Sequence, residues 1–229
     1  MKRNFKNLLI LFLVVAITFT SLGFGFAVPK KAYGEEIVDL SSALNRTVDF
    51  YRTKDSLDSW WELVALKGAG QNLKVGSWTL PAWNRDSLSD SSNVVDYSGY
   101  ILGLLARGED PANAWKDERN LVEELNGKQQ EDGTFGSNTN DQIWAIIALD
   151  AAGSDFDREK AVSILIGQQK DSGGFAYSSE IDPDPDMTGM ALSALVNYQT
   201  REDVQESIAR AISYLKSTQQ DNGGFSSWG

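Results

Sequence analysis

The chain has 229 residues, with no cysteine and no histidine, which excludes a disulfide framework, a thiolate nucleophile, a Cys/His zinc site and a histidine general base. Its formal charge is −11, and residues 1–34 hold five of the 21 basic residues and none of the 32 acidic ones, leaving 16 basic against 32 acidic from Glu35 onward, a net of −16. A domain of that sign repels phosphate backbones and argues against nucleic acid as a partner, whereas 41% apolar content with seven Trp, seven Tyr and ten Phe suffices for a packed core.

Residues 1–34 read as a secretory signal. Met-Lys-Arg-Asn-Phe-Lys is a basic start, and Leu8 to Phe19 is an almost unbroken apolar run. Gly25-Phe26-Ala27 and Ala32-Tyr33-Gly34 both offer small residues for cleavage, the second leaving Glu35 as an acidic mature terminus. No charge falls between Lys6 and Lys30, so an uncleaved anchor is the alternative. Either reading places the folded part outside the cytoplasm, secreted or at a cell surface.

From residue 35 the pattern predicts helical hairpins. Segments 39–54 and 57–69 form the first. Gly70 to Asn93, rich in Trp, Pro, Ser and Asp, is a long irregular arm ahead of an inner helix over 95–107. Outer helix 112–130 is expected to pair with inner helix 141–152, and 157–170 with 187–198; a last outer helix covers 202–219. Ala161, Ile164, Leu165 and Gln168 fall at i, i+3, i+4 and i+7, as do Ile208, Ala211, Ile212 and Leu215. The inner segments Ile143–Leu149 and Met190–Val196 are apolar almost all round and should be enclosed.

Two features recur. Asp186-Met-Thr-Gly-Met-Ala-Leu-Ser-Ala-Leu195 matches Asp96-Tyr-Ser-Gly-Tyr-Ile-Leu-Gly-Leu-Leu105 at Asp, Ser/Thr, Gly and both leucines; Asn140–Leu149 and Leu57–Leu66 are looser copies. The starts lie 39, 44 and 46 residues apart, so the chain is a repeat protein. The second feature is a turn: Gln129-Gln130-Glu-Asp-Gly133-Thr-Phe135, Gln168-Gln169-Lys-Asp-Ser-Gly173-Gly174-Phe175 and Gln219-Gln220-Asp-Asn-Gly223-Gly224-Phe225. Its glycines supply positive φ after an outer helix, and its Phe can fold back over the last turn. The leading Asp96, Asn140 and Asp186 are expected to be N-caps of the inner helices.

Helical hairpins carrying Gln-x-x-x-Gly-Gly-Phe turns resemble the prenyltransferase and squalene oxidase repeat of the α/α-toroid superfamily. That superfamily includes terpene cyclases, protein prenyltransferase β-subunits and cobalamin carriers of the intrinsic factor and transcobalamin type. The resemblance covers about residues 55–229, and Asp184–Leu195 with Ala211–Phe225 is most similar to secreted bacterial relatives of the cobalamin carriers. It implies an all-α fold, an α/α toroid over residues 35–229. Six hairpins of ~45 residues would need about 270 residues, so an incomplete ring, truncated at its C-terminus, is expected.

In such a ring the inner-helix starts gather at one mouth. Trp60, Trp61, Asp96, Tyr97, Tyr100, Asn140, Asp141, Gln142, Trp144, Asp186 and Thr188 are the candidate ligand-binding residues there, suited to a small, bulky amphipathic ligand. The resemblance implies a corrinoid as that ligand; plain core packing of the aromatics is the simpler reading. Class II terpene cyclases carry Asp-x-Asp-Asp-Thr, whose middle Asp protonates an alkene or epoxide. Asp184, Asp186 and Thr188 match it, with Asp186 as the candidate catalytic acid, but Met187 replaces the third Asp. Asp182, Asp184 and Asp186 alternate like metal ligands, yet prolines intervene and an EF-hand's glycine and closing Glu are missing. Zinc-dependent prenyl transfer and thioester chemistry fail for want of Cys and His. Glycan hydrolysis by two rim acids such as Asp96 and Asp186, ~5–10 Å apart, is a further alternative. The expected function is non-catalytic ligand binding, ahead of a terpene cyclase-like enzyme and a structural or adhesive surface module. The expected partners are the cell envelope or downstream domains of a longer protein.

Overall fold

The computed structural model describes residues 40–54, 57, 59–73, 88–89 and 92–226. The expected signal and anchor segment, most of the 70–93 connection and residues 227–229 lie outside the described residues. Among these residues the chain is all-helical: α1 (Leu40–Arg52), α2 (Trp60–Gly68), α3 (Val94–Arg107), α4 (Leu121–Asn126), α5 (Thr139–Ala152), α6 (Arg158–Gly167), α7 (Pro185–Leu195) and α8 (Glu202–Thr218), with 3-10 turns at Lys116–Glu118 and Val196–Tyr198. None of the helices is long and apolar enough to cross a membrane. The chain divides into two compact units, residues 1–83 with 106–109 and residues 84–105 with 110–229.

In the first unit, Val48 of α1 and Leu63 and Leu66 of α2 share a core with Leu57, Leu73 and Ala106. Helix α2 starts where Glu62 accepts the backbone N–H of Ser59 at 3.0 Å, one half of a capping box. It stops at Ala69, where Gly70 turns left-handed and Gln71 N–H reaches back to Leu66 O at 3.0 Å. Burial on α1 is one-sided: Val48 is enclosed while Leu44 and Phe50 are exposed.

The second unit is two-layered. Helix α5 packs on α4, α6 and α7, α7 packs on α8, and α6 packs on α8. From Ile143 to Leu149 every residue of α5 is buried, and so is every residue of α7 from Ala191 to Leu195, as their apolar periodicity requires. Helices α5 and α7 run parallel. At one end Thr139 N–H donates to Tyr177 O at 3.0 Å while Asp184 N–H donates to Phe175 O at 3.1 Å, so both helix starts flank one short segment. At the other end the Tyr198 hydroxyl donates to the Asp150 carboxylate at 2.8 Å.

Two expectations about the helices are corrected. The outer helix foreseen over 112–130 is short, because Asp117 and Glu118 adopt φ of 60° and 58°, which breaks the helix, and Asn120 caps a new start by accepting from Val122 and Glu123 N–H at 3.1 Å. Helix α6 was expected to pair with α7; instead it lies mainly against the preceding inner helix α5 and the next outer helix α8. The long segment 168–184 separates α6 from α7 in the chain and lets them part.

Candidate functional site

The recurring turn is the joint of the second unit. After α4, Gln130 N–H donates to Thr134 O and Gly133 N–H to Gln130 O, both at 2.9 Å; Lys170 with Gly174 and Gly173 with Lys170 repeat the pattern at 2.9 Å after α6. Gly133 and Gly173 have φ of 99° and 90°, and a Cβ there would lie 2.4 Å from Lys160 Cβ or 2.5 Å from Arg210 O. Only glycine therefore lets each turn press onto the next outer helix. The repeated geometry is completed by glutamines. Gln129 donates to Asp157 O at 2.9 Å and accepts Asp157 N–H at 3.0 Å, while Gln169 donates to Gly173 O and Ser207 O at 2.8 Å. Asp157 is a helix cap whose N–H lies outside the helical ladder, whereas Ser207 lies inside α8 with its N–H in that ladder, so the Gln169 carbonyl finds no donor among the described residues.

The inner helices take hold of the same turns from the other side. Fully buried Gln142 accepts Phe135 N–H at 2.7 Å and donates to Gly133 O at 3.1 Å and Ala161 O at 3.0 Å. Thr188, also fully buried, accepts Phe175 N–H at 2.9 Å and donates to Asp184 O at 2.7 Å. Phe135 and Phe175 are wholly enclosed, as their position after the glycines predicts.

The structure gives most of the residues expected at a ligand mouth packing or hydrogen-bond partners within the chain. Asp141 is buried and accepts Ser137 N–H at 3.0 Å and the Asn138 amide at 2.9 Å, which orders the loop ahead of α5. Gln142 and Thr188 hold turns. Trp144 is buried, with Nε1 donating to Asn140 Oδ1 at 3.0 Å. Tyr97 is buried beneath Lys128, whose Nζ lies 4.7 Å from its ring; it donates to Glu124 at 2.8 Å and accepts from Arg119 at 3.0 Å. Hydrogen bonding by Arg119 holds the Glu124 carboxyl below its ordinary range, against a smaller opposing effect of burial. Tyr100 stacks edge-on to buried Trp115 at 4.7 Å. Trp60 and Trp61 stack on each other at 4.0 Å in the first unit, with Trp61 47% exposed. Tyr97 and Trp144 are thus enclosed by packing, while Trp61 keeps about half of its surface open.

The leading acids are not the caps. Asn93 accepts Asp96 N–H at 2.8 Å, Asn138 accepts Asp141 N–H at 2.9 Å, and Asp184 accepts Met187 N–H at 2.8 Å. Asp96, Asn140 and Asp186 therefore sit inside the first turn, where negative charge favours the helix dipole and leaves the side chain at the surface; Asp96 and Asp186 are exposed. An acid that protonates an alkene works in a site closed to water, and exposed Asp186 has no such enclosure. Asp182, Asp184 and Asp186 do not converge, and the described residues hold no acidic group of three arranged for a metal ion.

What remains exposed at the shared start of α5 and α7 is the segment between them. Tyr177 and Ile181 are 46% and 39% exposed, among the few large apolar side chains in the open among the described residues, and the likewise exposed Glu180, Asp182 and Asp186 lie near them in the sequence. Neither Tyr177 nor Ile181 was foreseen, because the segment has no periodicity; the glycines that end the preceding turn were the only signal that a surface loop follows. At the opposite end, burial pushes the Asp150 carboxyl up despite its Tyr198 and Arg158 partners, and burial together with Asp150 raises the Tyr198 phenol. No family model, curated protein or solved structure matches the chain. The toroid resemblance thus rests on the repeats themselves.

Proposed function

We propose that this chain is a secreted or cell-surface, non-catalytic α/α-toroid module that binds a bulky amphipathic ligand at the rim formed by the starts of α5 and α7. One observation carries the reading: Tyr177 and Ile181 stand exposed on the segment that leads from the start of α5 into α7, with exposed Glu180, Asp182 and Asp186 near them in the sequence. Exposed apolar groups with polar neighbours at one rim offer an amphipathic molecule both a contact face and orienting partners. The layered packing of α5 and α7 inside α6 and α8, and the glycine turns joining them, support the toroid arrangement. The repeat resemblance supplies the corrinoid as first candidate, by fold analogy.

The test is an absorbance and thermal-shift titration of the intact chain with cyanocobalamin, beside Tyr177→Ala and Asp186→Asn. Saturable one-to-one binding that weakens about tenfold or more in Tyr177→Ala supports the reading. No binding, or binding indifferent to both changes, overturns the rim as the corrinoid site.

A further inference from the structure

The first two Gln-Gly turns of the second unit meet their outer helices in different ways. At the first, one residue clasps the Gln129 carboxamide from both sides: Nε2 donates to Asp157 O at 2.9 Å and Oε1 accepts Asp157 N–H at 3.0 Å. At the second, Gln169 Nε2 donates to Ser207 O and Gly173 O at 2.8 Å, but its enclosed Oε1 meets no donor among the described residues. The difference comes from where the helices begin. Helix α6 starts directly after Asp157, so that N–H lies outside the helical ladder. Helix α8 starts at Glu202, well ahead of Ser207, and uses the Ser207 N–H for its own ladder.

Ser207 brings a second group to the same contact. It is 2% exposed, and its enclosed Oγ also has no partner among the described residues. A serine inside a helix ordinarily turns its hydroxyl back onto the carbonyl four residues earlier. Ser98 does so to Val94 O at 2.8 Å, Ser163 to Glu159 O at 2.8 Å, Ser193 to Gly189 O at 3.0 Å and Ser213 to Ala209 O at 3.0 Å. Ser207 makes no such bond. Two buried oxygens, one an acceptor and one able to donate, thus belong to residues already joined by the bond from Gln169 Nε2 to Ser207 O, yet they do not bond each other. Enclosed polar atoms are costly to leave unpaired, so folded chains pair them or hydrate them.

We propose that this joint binds one internal water molecule, held between Ser207 Oγ and Gln169 Oε1. The water accepts from the Ser207 hydroxyl and donates one hydrogen to Gln169 Oε1. Its second hydrogen goes to Gly173 O or Ser207 O, the carbonyls that already meet the same carboxamide. That set matches the roughly two to four partners a buried water requires. The water does for Gln169 what the Asp157 N–H does for Gln129, so α8 can begin early without leaving the turn unsatisfied. Both of its anchors are enclosed, so it leaves only when the turn and α8 separate, and its residence time reports the opening of that joint.

Two measurements on the intact chain test this: a crystal structure at a resolution that shows ordered water, and water deuteron relaxation dispersion, which counts internal waters of long residence. The crystal should show one water oxygen within about 2.6–3.2 Å of both Ser207 Oγ and Gln169 Oε1. Ser207→Asn puts an amide donor where the water lies and should lose one long-lived water relative to the parent. Ser213→Ala, on the same helix but at a hydroxyl already bonded to Ala209 O, should lose none. A Ser207 hydroxyl bonded directly to Gln169 or to Asp203 O overturns the proposal, and so does density with no water touching both atoms. Equal counts in Ser207→Asn and the parent, or the same loss in Ser213→Ala, overturn it too. The crystal result needs no variant, so it decides the question even where Ser207→Asn does not fold.

Discussion

Replacing Gln142 by leucine tests whether the inner helices hold the turns or merely lie beside them. The two side chains have similar volume, so no cavity is opened, and the change removes hydrogen bonds alone. Three are lost, to Phe135 N–H, Gly133 O and Ala161 O. Ala161 O keeps its helical partner and Gly133 O keeps the Gln129 amide at 3.5 Å. Phe135 N–H has no second acceptor among the described residues, and Phe135 is fully buried. An orphaned buried donor costs about 1–3 kcal/mol and each of the two further lost bonds about 1 kcal/mol, for a total of about 3–5 kcal/mol. In a chain of this size each kcal/mol lowers the midpoint by about 2–4 °C, so Tm should fall by about 6–20 °C. Thermal denaturation followed by circular dichroism reads this directly. A fall of about 2 °C or less, typical of a surface change, would refute the argument that Gln142 staples the turn.

Further predictions follow from the same geometry. Thr188→Val leaves Phe175 N–H without its acceptor and should cost about 1–3 kcal/mol in urea unfolding, whereas exposed Asp186→Asn should stay within about 0.5 kcal/mol; equal losses would return Asp186 to a structural role. Gly153 and Gly173 both have positive φ, but only Gly173 has a neighbour within 4 Å of an added Cβ. Gly153→Ala should therefore cost about 1–2 kcal/mol, and Gly173→Ala at least about 1 kcal/mol more because α8 must shift. Denaturation midpoints that agree for the two would show that the turn does not press on α8. Asp150 and Glu124 should give opposite pH slopes. Burial holds the folded Asp150 carboxyl above its ordinary 3.8, so its contribution is present below that value and lost as pH rises through the raised one. Asp150→Asn should gain on the parent across that rise. Arg119 holds Glu124 below its ordinary 4.5, so that contribution is present above 4.5 and lost on acidification. Glu124→Gln should cost most at neutral pH and least in acid, and denaturation at a series of pH values that showed the same slope for both would contradict these assignments.

Local chemistry made much of the fold legible. The continuous apolar runs of α5 and α7, the glycines of the Gln-Gly-Phe turns and the spacing of Ala161 and Leu165 each state a local preference, and each was honoured: helices within a few residues of expectation, positive φ at Gly133, Gly173 and Gly223, and enclosed Phe135 and Phe175. A repeated local preference is readable because every copy solves the same packing problem. Caps were misplaced by two or three residues, since Asp and Asn occur at Asn93, Asn138 and Asp184 as well as at Asp96, Asn140 and Asp186, and propensity cannot choose between neighbours of equal capping strength. The division of labour among the site residues was decided only by tertiary structure. Nothing local distinguishes Gln142, locked to a buried amide, from Asp186, left in water. That distinction depends on which partner the folded chain brings within 3 Å, and an unpaired buried amide costs enough free energy that the fold claims the nearest polar side chain for its own turns, leaving for a ligand only what burial did not need.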